Sequence, residues 1–207
     1  MYERILLPTD GSVGSAHVAM QAIDLAEQYD AEVHVLYVVD EDLTSRIRGA
    51  KTTEQALEEV GENTVEKYAR MVQGHDLAAV TAVRHGDPAQ TILDYADEAA
   101  ADLVVMGTHG RSGVERRLIG SVAERVVRHA TCPVMTVRLP ETDVTVEDRD
   151  HARDLAAETL TGAGYDAEVT GVDRQESVWV VEAEDEGVDL LVYIDPVTQR
   201  TSVVRGR

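Results

Sequence analysis

The sequence predicts a doubly wound, five-stranded parallel α/β sheet over residues 1–138, a linker at 139–149 and a small acidic α+β unit at 150–207. Three observations carry that expectation. Strand-sized apolar runs alternate with helical periodicity through the first two-thirds of the chain, and parallel strands need such crossovers. The run Leu103-Val104-Val105-Met106 is continuous, as in a strand covered on both faces. At residues 139–150 the alternation stops in a polar, acidic stretch containing Pro140, and one helix followed by strands comes after it.

Residues 4–8, Arg-Ile-Leu-Leu-Pro, form a short apolar run ending at the turn signal Thr9-Asp10-Gly11-Ser12. Val18, Ala22, Leu25, Ala26 and Tyr29 then recur on one helical face. Residues 32–39 are Val-rich and strand-like, and 40–52 read as a polar loop. A second helix is expected over 53–73, with Leu57, Val60, Thr64, Tyr68 and Met71 in one stripe. After a strand at 79–84, Asp87-Pro88 has the form of an N-cap followed by proline at the first helical position, opening a helix through Ile92, Ala96 and Ala99. A strand at 103–106, a glycine-rich loop, a helix at 121–129 and a strand at 134–137 complete the sheet. In the tail, a helix at 150–160 ends near Gly162 and Gly164, and strands are expected at 167–172, 177–183, 190–194 and 202–205.

Composition narrows the function. With 39 Asp+Glu against 19 Lys+Arg the formal net charge is −20, which disfavours nucleic acid and anionic membrane surfaces, because both require clustered cations. No apolar run is long enough to cross a bilayer, and the N-terminus lacks a signal-peptide layout. The single cysteine, Cys132, cannot form an internal disulfide, so a cytoplasmic location is expected. Only Lys51 and Lys67 are lysines and there is no Phe, a balance that suits a salt-rich, halophilic cytosol where charge repulsion is screened. The tail is the more acidic part, with net charge −11 over residues 139–207 against −9 over 1–138, so it is expected to loosen first when salt is withdrawn.

The segment Gly107-Thr-His-Gly110-Arg-Ser-Gly-Val-Glu-Arg-Arg-Leu-Ile-Gly120-Ser121 leaves a strand and enters a helix. Glycines let backbone approach a ligand, and a helix N-terminus offers free N–H groups to an anion. Ser121 can cap that helix or donate to the anion. The bland alternatives are that Gly107 and Gly110 serve only to turn the chain and that Asp10 bonds within its own loop. Arg111 sits inside the loop and can meet a phosphate, whereas Arg116 and Arg117 read as a solvated face. His109 has no nucleophile to pair with, Cys132 reads as a small buried hydrophobe, and the histidines show no metal-ligand spacing. In a doubly wound sheet, ligands bind beyond the carboxyl ends of strands where the strand order reverses. If the first and fourth strands are neighbours, Pro8-Thr9-Asp10 and Gly107 face one crevice.

Gly-x2-Gly-x9-Gly-Ser at Gly107, Gly110, Gly120 and Ser121 resembles the ATP-binding signature of the universal stress protein family. The opening Ile5-Leu-Leu-Pro-Thr-Asp10-Gly-Ser, His85-Gly-Asp-Pro88 and the stretch from Ser121 to Val134 are similar to that family too. The resemblance implies an adenine nucleotide alpha hydrolase-like fold over residues 1–138. It also implies that Pro8, Thr9, Asp10 and Val38 line the adenine and ribose side, with Met106 at the strand end. Gly107, Gly110, Gly120, Ser121 and Val122 would wrap the phosphates of ATP, bridged by a divalent ion such as Mg2+. It implies a homodimer through the strand Val134–Val137.

The tail weakly resembles a PepSY-type domain, with Gln199 where a glycine is usual in the pattern strand-Asp-x-x-Thr-Gly. It shows no catalytic constellation, so a binding role with an unnamed protein partner is expected. The function expected for the whole is ATP binding as a regulatory signal in stress response. The rivals are a dimeric interaction module that needs no nucleotide and a slow ATPase. The ATPase is disfavoured because no lysine, carboxylate pair or arranged base accompanies the loop. ATP, AMP and a cyclic nucleotide are not distinguished by these residues.

Overall fold

The computed structural model describes residues 1–12, 14–40, 50–108, 119–138, 144–175 and 177–206, with backbone alone at 50–54. The first part runs β1 (Arg4–Thr9), α1 (Ser15–Tyr29), β2 (Glu32–Asp40), α2 (Ala50–Gln73), β3 (Ala79–Gly86), α3 (Pro88–Glu98), β4 (Leu103–Gly107), α4 (Ser121–His129) and β5 (Val134–Val137). These strands form one parallel sheet in the order β3-β2-β1-β4-β5. The chain therefore winds outward from β1 to β3 and then returns to β4 on the other side of β1. The strand order reverses between β1 and β4, the adjacency on which a shared crevice depends.

Period-two alternation sorts the core into two layers. Ile5 and Leu7, with Val33, Val35, Leu103 and Val105, face α1 and α2. Leu6, Leu36, Val104 and Met106 face α3 and α4. Both faces of the central strands are buried, which is why β4 reads as a continuous apolar run. Asp102 fastens the start of β1 beside β4, accepting the Glu3 and Arg4 amides at 2.9 and 3.0 Å. Those two amides hold the Asp102 carboxyl below its ordinary range.

Asp87 caps α3 as expected, accepting Gln90 N–H at 2.9 Å with Pro88 in the first turn. The Arg125 guanidinium, 2.8 Å away on α4, is the main reason the Asp87 carboxyl lies below its ordinary value, and the Gln90 amide adds to it. Several boundaries differ from expectation by one to three residues, and the capping of α4 differs although its bounds are as expected. Helix α2 starts at Ala50 rather than near residue 53, as Ala and Lys are good helix formers and extend the turn upstream. The N-cap of α4 is Gly120, in extended backbone, so Ser121 is the first helical residue and makes no capping bond.

The remainder comprises α5 (Arg149–Gly162) and an antiparallel sheet of β6 (Glu168–Gln175), β7 (Val178–Asp185), β8 (Val188–Ile194) and β9 (Thr201–Arg205), in sequential order. Glu186 and Gly187 both have positive φ in a two-residue loop, the turn whose twist matches a hairpin. Asp195 accepts from Val197 N–H at 3.0 Å and from the Thr198 hydroxyl, building the β8–β9 turn. Gln199 takes a left-handed φ of 59° in that turn, the conformation that favours glycine there.

One face of this second sheet carries Trp179, Val181, Leu190, Val192 and Ile194 against Ala152, Ala156 and Leu160 of α5. The opposite face puts Val178, Val180, Tyr193 and Val204 into the same cluster as α1, α2 and the parallel sheet. The chain thus stacks helix, sheet, helices, sheet, helices. Arg200 bonds Asp24 of α1, and His75 bridges Glu27 at 2.7 Å and the Ser202 hydroxyl at 2.5 Å. The end of the stretch expected as linker is also tied down. Thr145 and Val146 N–H donate to the Pro196 carbonyl, and Trp179 Nε1 donates to the Val146 carbonyl at 2.9 Å. Among the described residues no helix is long and apolar enough to cross a membrane.

Candidate functional site

A crevice with a cavity of about 490 Å³ opens at the carboxyl ends of β1, β2 and β4, within the range of small-molecule sites. Its floor comes from Pro8 and Thr9 of β1, Val38 of β2, and Met106 and Gly107 of β4. Asp10 lines it just beyond β1, and Gly120, Ser121 and Val122 line it where α4 begins. The residues singled out in the sequence are thus brought to one site, except Gly110 and Arg111, which lie outside the described residues along with His109.

Local sequence explains each wall. Gly11 takes a φ of +73°, allowing the chain to turn sharply out of β1. Asp10 holds that turn, its Oδ1 accepting Ser12 N–H at 3.0 Å and the Ser15 hydroxyl at 3.1 Å. The loop-holding role of Asp10 and its position on the crevice are therefore compatible. Across the crevice, Gly120 N–H donates to the Thr108 carbonyl at 2.6 Å, and Thr108 N–H donates to the Val137 carbonyl at 3.0 Å. These bonds pin both ends of the glycine-rich loop, so the start of α4 stays beside the end of β4.

The first-turn N–H groups of a helix have no partner within it, and they carry its partial positive charge. Gly120, Ser121, Val122 and Ala123 line the cavity at that end of α4. Apolar side chains from both faces of the sheet line the rest of the cavity: Val18, Val39 and Leu57 on one face, and Leu36, Val38 and Ile92 on the other. Such a site can hold a flat, apolar ring on one side and an anionic group on the other. Among the described residues no group of three or more His, Cys, Asp or Glu side chains could hold a metal by itself.

Several lining residues were not singled out in the sequence. Leu57 and Ile92 belong to apolar helical stripes and look like ordinary core positions. Tyr37, Val39 and Asp40 flank Val38 at the end of β2, and the rule that ligands sit at strand carboxyl ends would have found them. Pro88 lines the cavity through its place at the start of α3, next to the Asp87 cap.

Residues 1–138 match the model of the Universal stress protein family. The chain is 40% identical over 144 residues to Universal stress protein MJ0531 of Methanocaldococcus jannaschii, covering 68% of this chain and 85% of that one. The solved structure of hypothetical protein MJ0577 has a TM-score of 0.63 at 25% identity, covering 69% of this chain and 99% of that one. A universal stress protein solved in complex with cAMP shares the fold, with a TM-score of 0.53 at 23% identity and coverage of 66% and 97%. The family model ends at residue 138, and the antiparallel sheet lies beyond it.

Proposed function

The chain belongs to the universal stress protein family, and we propose that it binds an adenine nucleotide, ATP foremost, as a regulatory ligand in the stress response of the cytoplasm. The observation that carries this reading is the meeting of an apolar wall and a helix N-terminus in one crevice at the point of strand-order reversal. In this reading Pro8, Thr9, Asp10 and Val38 line the adenine and ribose side, and Met106 closes the strand end. Gly107, Gly110, Gly120, Ser121 and Val122 surround the phosphates, with Arg111 in the same loop. Mg2+, if it enters with ATP, is held chiefly by the phosphates, since Asp10 and Asp40 are the carboxylates lining the crevice among the described residues and Mg2+ ordinarily needs only one or two beside phosphate oxygens. Residues 1–138 act as the nucleotide-binding unit, 139–149 connect, and 150–207 form an appended unit.

Mass spectrometry of small molecules released from denatured protein is expected to find an adenine nucleotide. Titration with ATP, AMP and cyclic AMP then ranks the three. Protein that carries no nucleotide and gives no binding heat with any of them would overturn the reading.

A homodimer through β5 belongs to the same proposal. β5 ends the parallel sheet, and Met135 on it is 36% exposed, an edge that invites pairing. Light scattering in strong salt is expected to give twice 22.6 kDa. A monomer at micromolar concentration would rule this interface out.

A further inference from the structure

Ser15 is the first residue of α1, is 7% exposed, and lines the crevice together with Asp10, Ser12 and Gly14. A carboxylate only accepts, so Ser15 donates its one proton to Asp10 Oδ1 at 3.1 Å. The Ser15 oxygen is then the acceptor for the Ser12 hydroxyl at 3.3 Å. Ser12 N–H reaches the same Asp10 oxygen at 3.0 Å.

The two donors differ in what stands behind them. Ser12 lies two residues from Asp10, so its bond closes a local turn and moves with the loop. Ser15 is fixed in α1, whose Ala16, Ala19, Met20 and Ile23 are buried in the core beside the parallel sheet. Its bond therefore ties the carboxylate to a packed helix. With both donors on one oxygen, rotation of the carboxyl group is restricted, and its charge meets the crevice in one orientation. Charge-assisted bonds of this kind are stronger than neutral ones, which gives the constraint its force.

We propose that Ser15 is a positioning residue for Asp10, and that the pair makes the site select nucleotides whose ribose hydroxyls are present and free. The proposal rests on the nucleotide reading above, in which Asp10 lines the ribose side. An acceptor-only carboxylate reads donors, and the donors of a ribose are its hydroxyls. A sugar without them displaces water from the carboxylate and returns no bond, which is how a polar site rejects an analogue.

The test titrates the full chain in strong salt with ATP and with 2′,3′-dideoxy-ATP, which keeps base and phosphates and lacks both hydroxyls. The wild-type protein is expected to favour ATP by at least about tenfold, the scale of one hydrogen bond to a charged group. Ser15→Ala should weaken ATP binding about fivefold and change dideoxy-ATP binding less than about twofold, so the preference itself falls. A merely structural role at the start of α1 would weaken both ligands equally. In Asp10→Ala protein, adding Ser15→Ala should cost nothing further, because no carboxylate is left to position. Wild-type protein that binds both ligands alike, no loss or equal losses in Ser15→Ala, or an added loss in the Asp10→Ala background overturns the proposal and leaves the nucleotide reading standing. Wild-type protein that binds neither ligand overturns both. If Asp10→Ala does not fold, the two-ligand comparison decides alone. If Ser15→Ala does not fold, Ser15→Cys replaces it with the same expectations, since a thiol is a weak donor. If neither Ser15 variant folds, Ser15 is a structural residue of α1 and the proposal falls.

Discussion

Gly120→Val is expected to weaken nucleotide binding at least about a hundredfold, a loss of about 2.7 kcal/mol, while the fold survives. Gly120 has φ −72° and ψ 159°, extended backbone that valine adopts freely, so the change adds no backbone strain. Its N–H bond to the Thr108 carbonyl at 2.6 Å needs no side chain and persists. As an N-cap, valine is worse than glycine, which costs the helix roughly 1 kcal/mol. The larger effect is steric, because Gly120 lines the cavity beside the amides of Ser121 and Val122. In the proposed binding mode phosphate comes within hydrogen-bond distance of that backbone, and a branched side chain there competes for the same space. Calorimetric titration with ATP, paired with thermal melting, separates the two effects. A folded variant with unchanged affinity would remove this loop from the site.

Much of this site was legible because the sheet is written twice, in periodicity and in turn chemistry. The continuous run at β4 and the cap at Asp87-Pro88 each have one physical reading, and the structure has both. The crevice followed once β1 and β4 were neighbours, since the rule for doubly wound sheets then fixes where the loops meet. Less was legible where residues do two jobs. Leu57 reads the same whether it faces core or cavity. Ser121 looked able to cap α4, but the preceding glycine already had the extended backbone a cap needs.

The docking of the second sheet had the weakest signal. Tyr68 and Met71 fit one apolar stripe of α2, and nothing in a stripe says that a second layer covers the helix. Lys67 carries no sequence mark of burial, yet it is 7% exposed because Ser177 meets its ammonium. Net charge made the tail look detachable. The shared cluster of Val178, Val180, Tyr193 and Val204 with α1 and α2 instead argues that both sheets unfold together.

Gly74→Val tests that coupling and should have the largest effect on stability. Gly74 follows α2 directly, and a Cβ there would lie 2.3 Å from Val204 Cβ and 2.5 and 2.7 Å from its two methyls. No real side chain tolerates such distances, so β9 must move away from α2. The Lys67 and Tyr68 bonds to Ser177 and the His75 bond to Ser202 cross the same interface and are strained with it. Overpacking of this kind costs roughly 1–3 kcal/mol, and the loss of buried hydrogen-bond partners adds about 1–3 kcal/mol for each group left unpaired. We therefore expect a loss of about 3 kcal/mol or more. Gly162→Ala is the control, because nothing lies within 4 Å of its added carbon and the change should cost under about 0.5 kcal/mol. The single tryptophan, Trp179, sits in the second sheet and reports on it by fluorescence, while far-UV dichroism reports on the whole chain. In the wild-type protein the two urea transitions should coincide, as a shared core requires. In Gly74→Val the fluorescence transition should move to lower urea and separate from the rest. Coincident transitions at the wild-type midpoint would show that β9 accommodates the side chain and that the interface is looser than Val204 makes it.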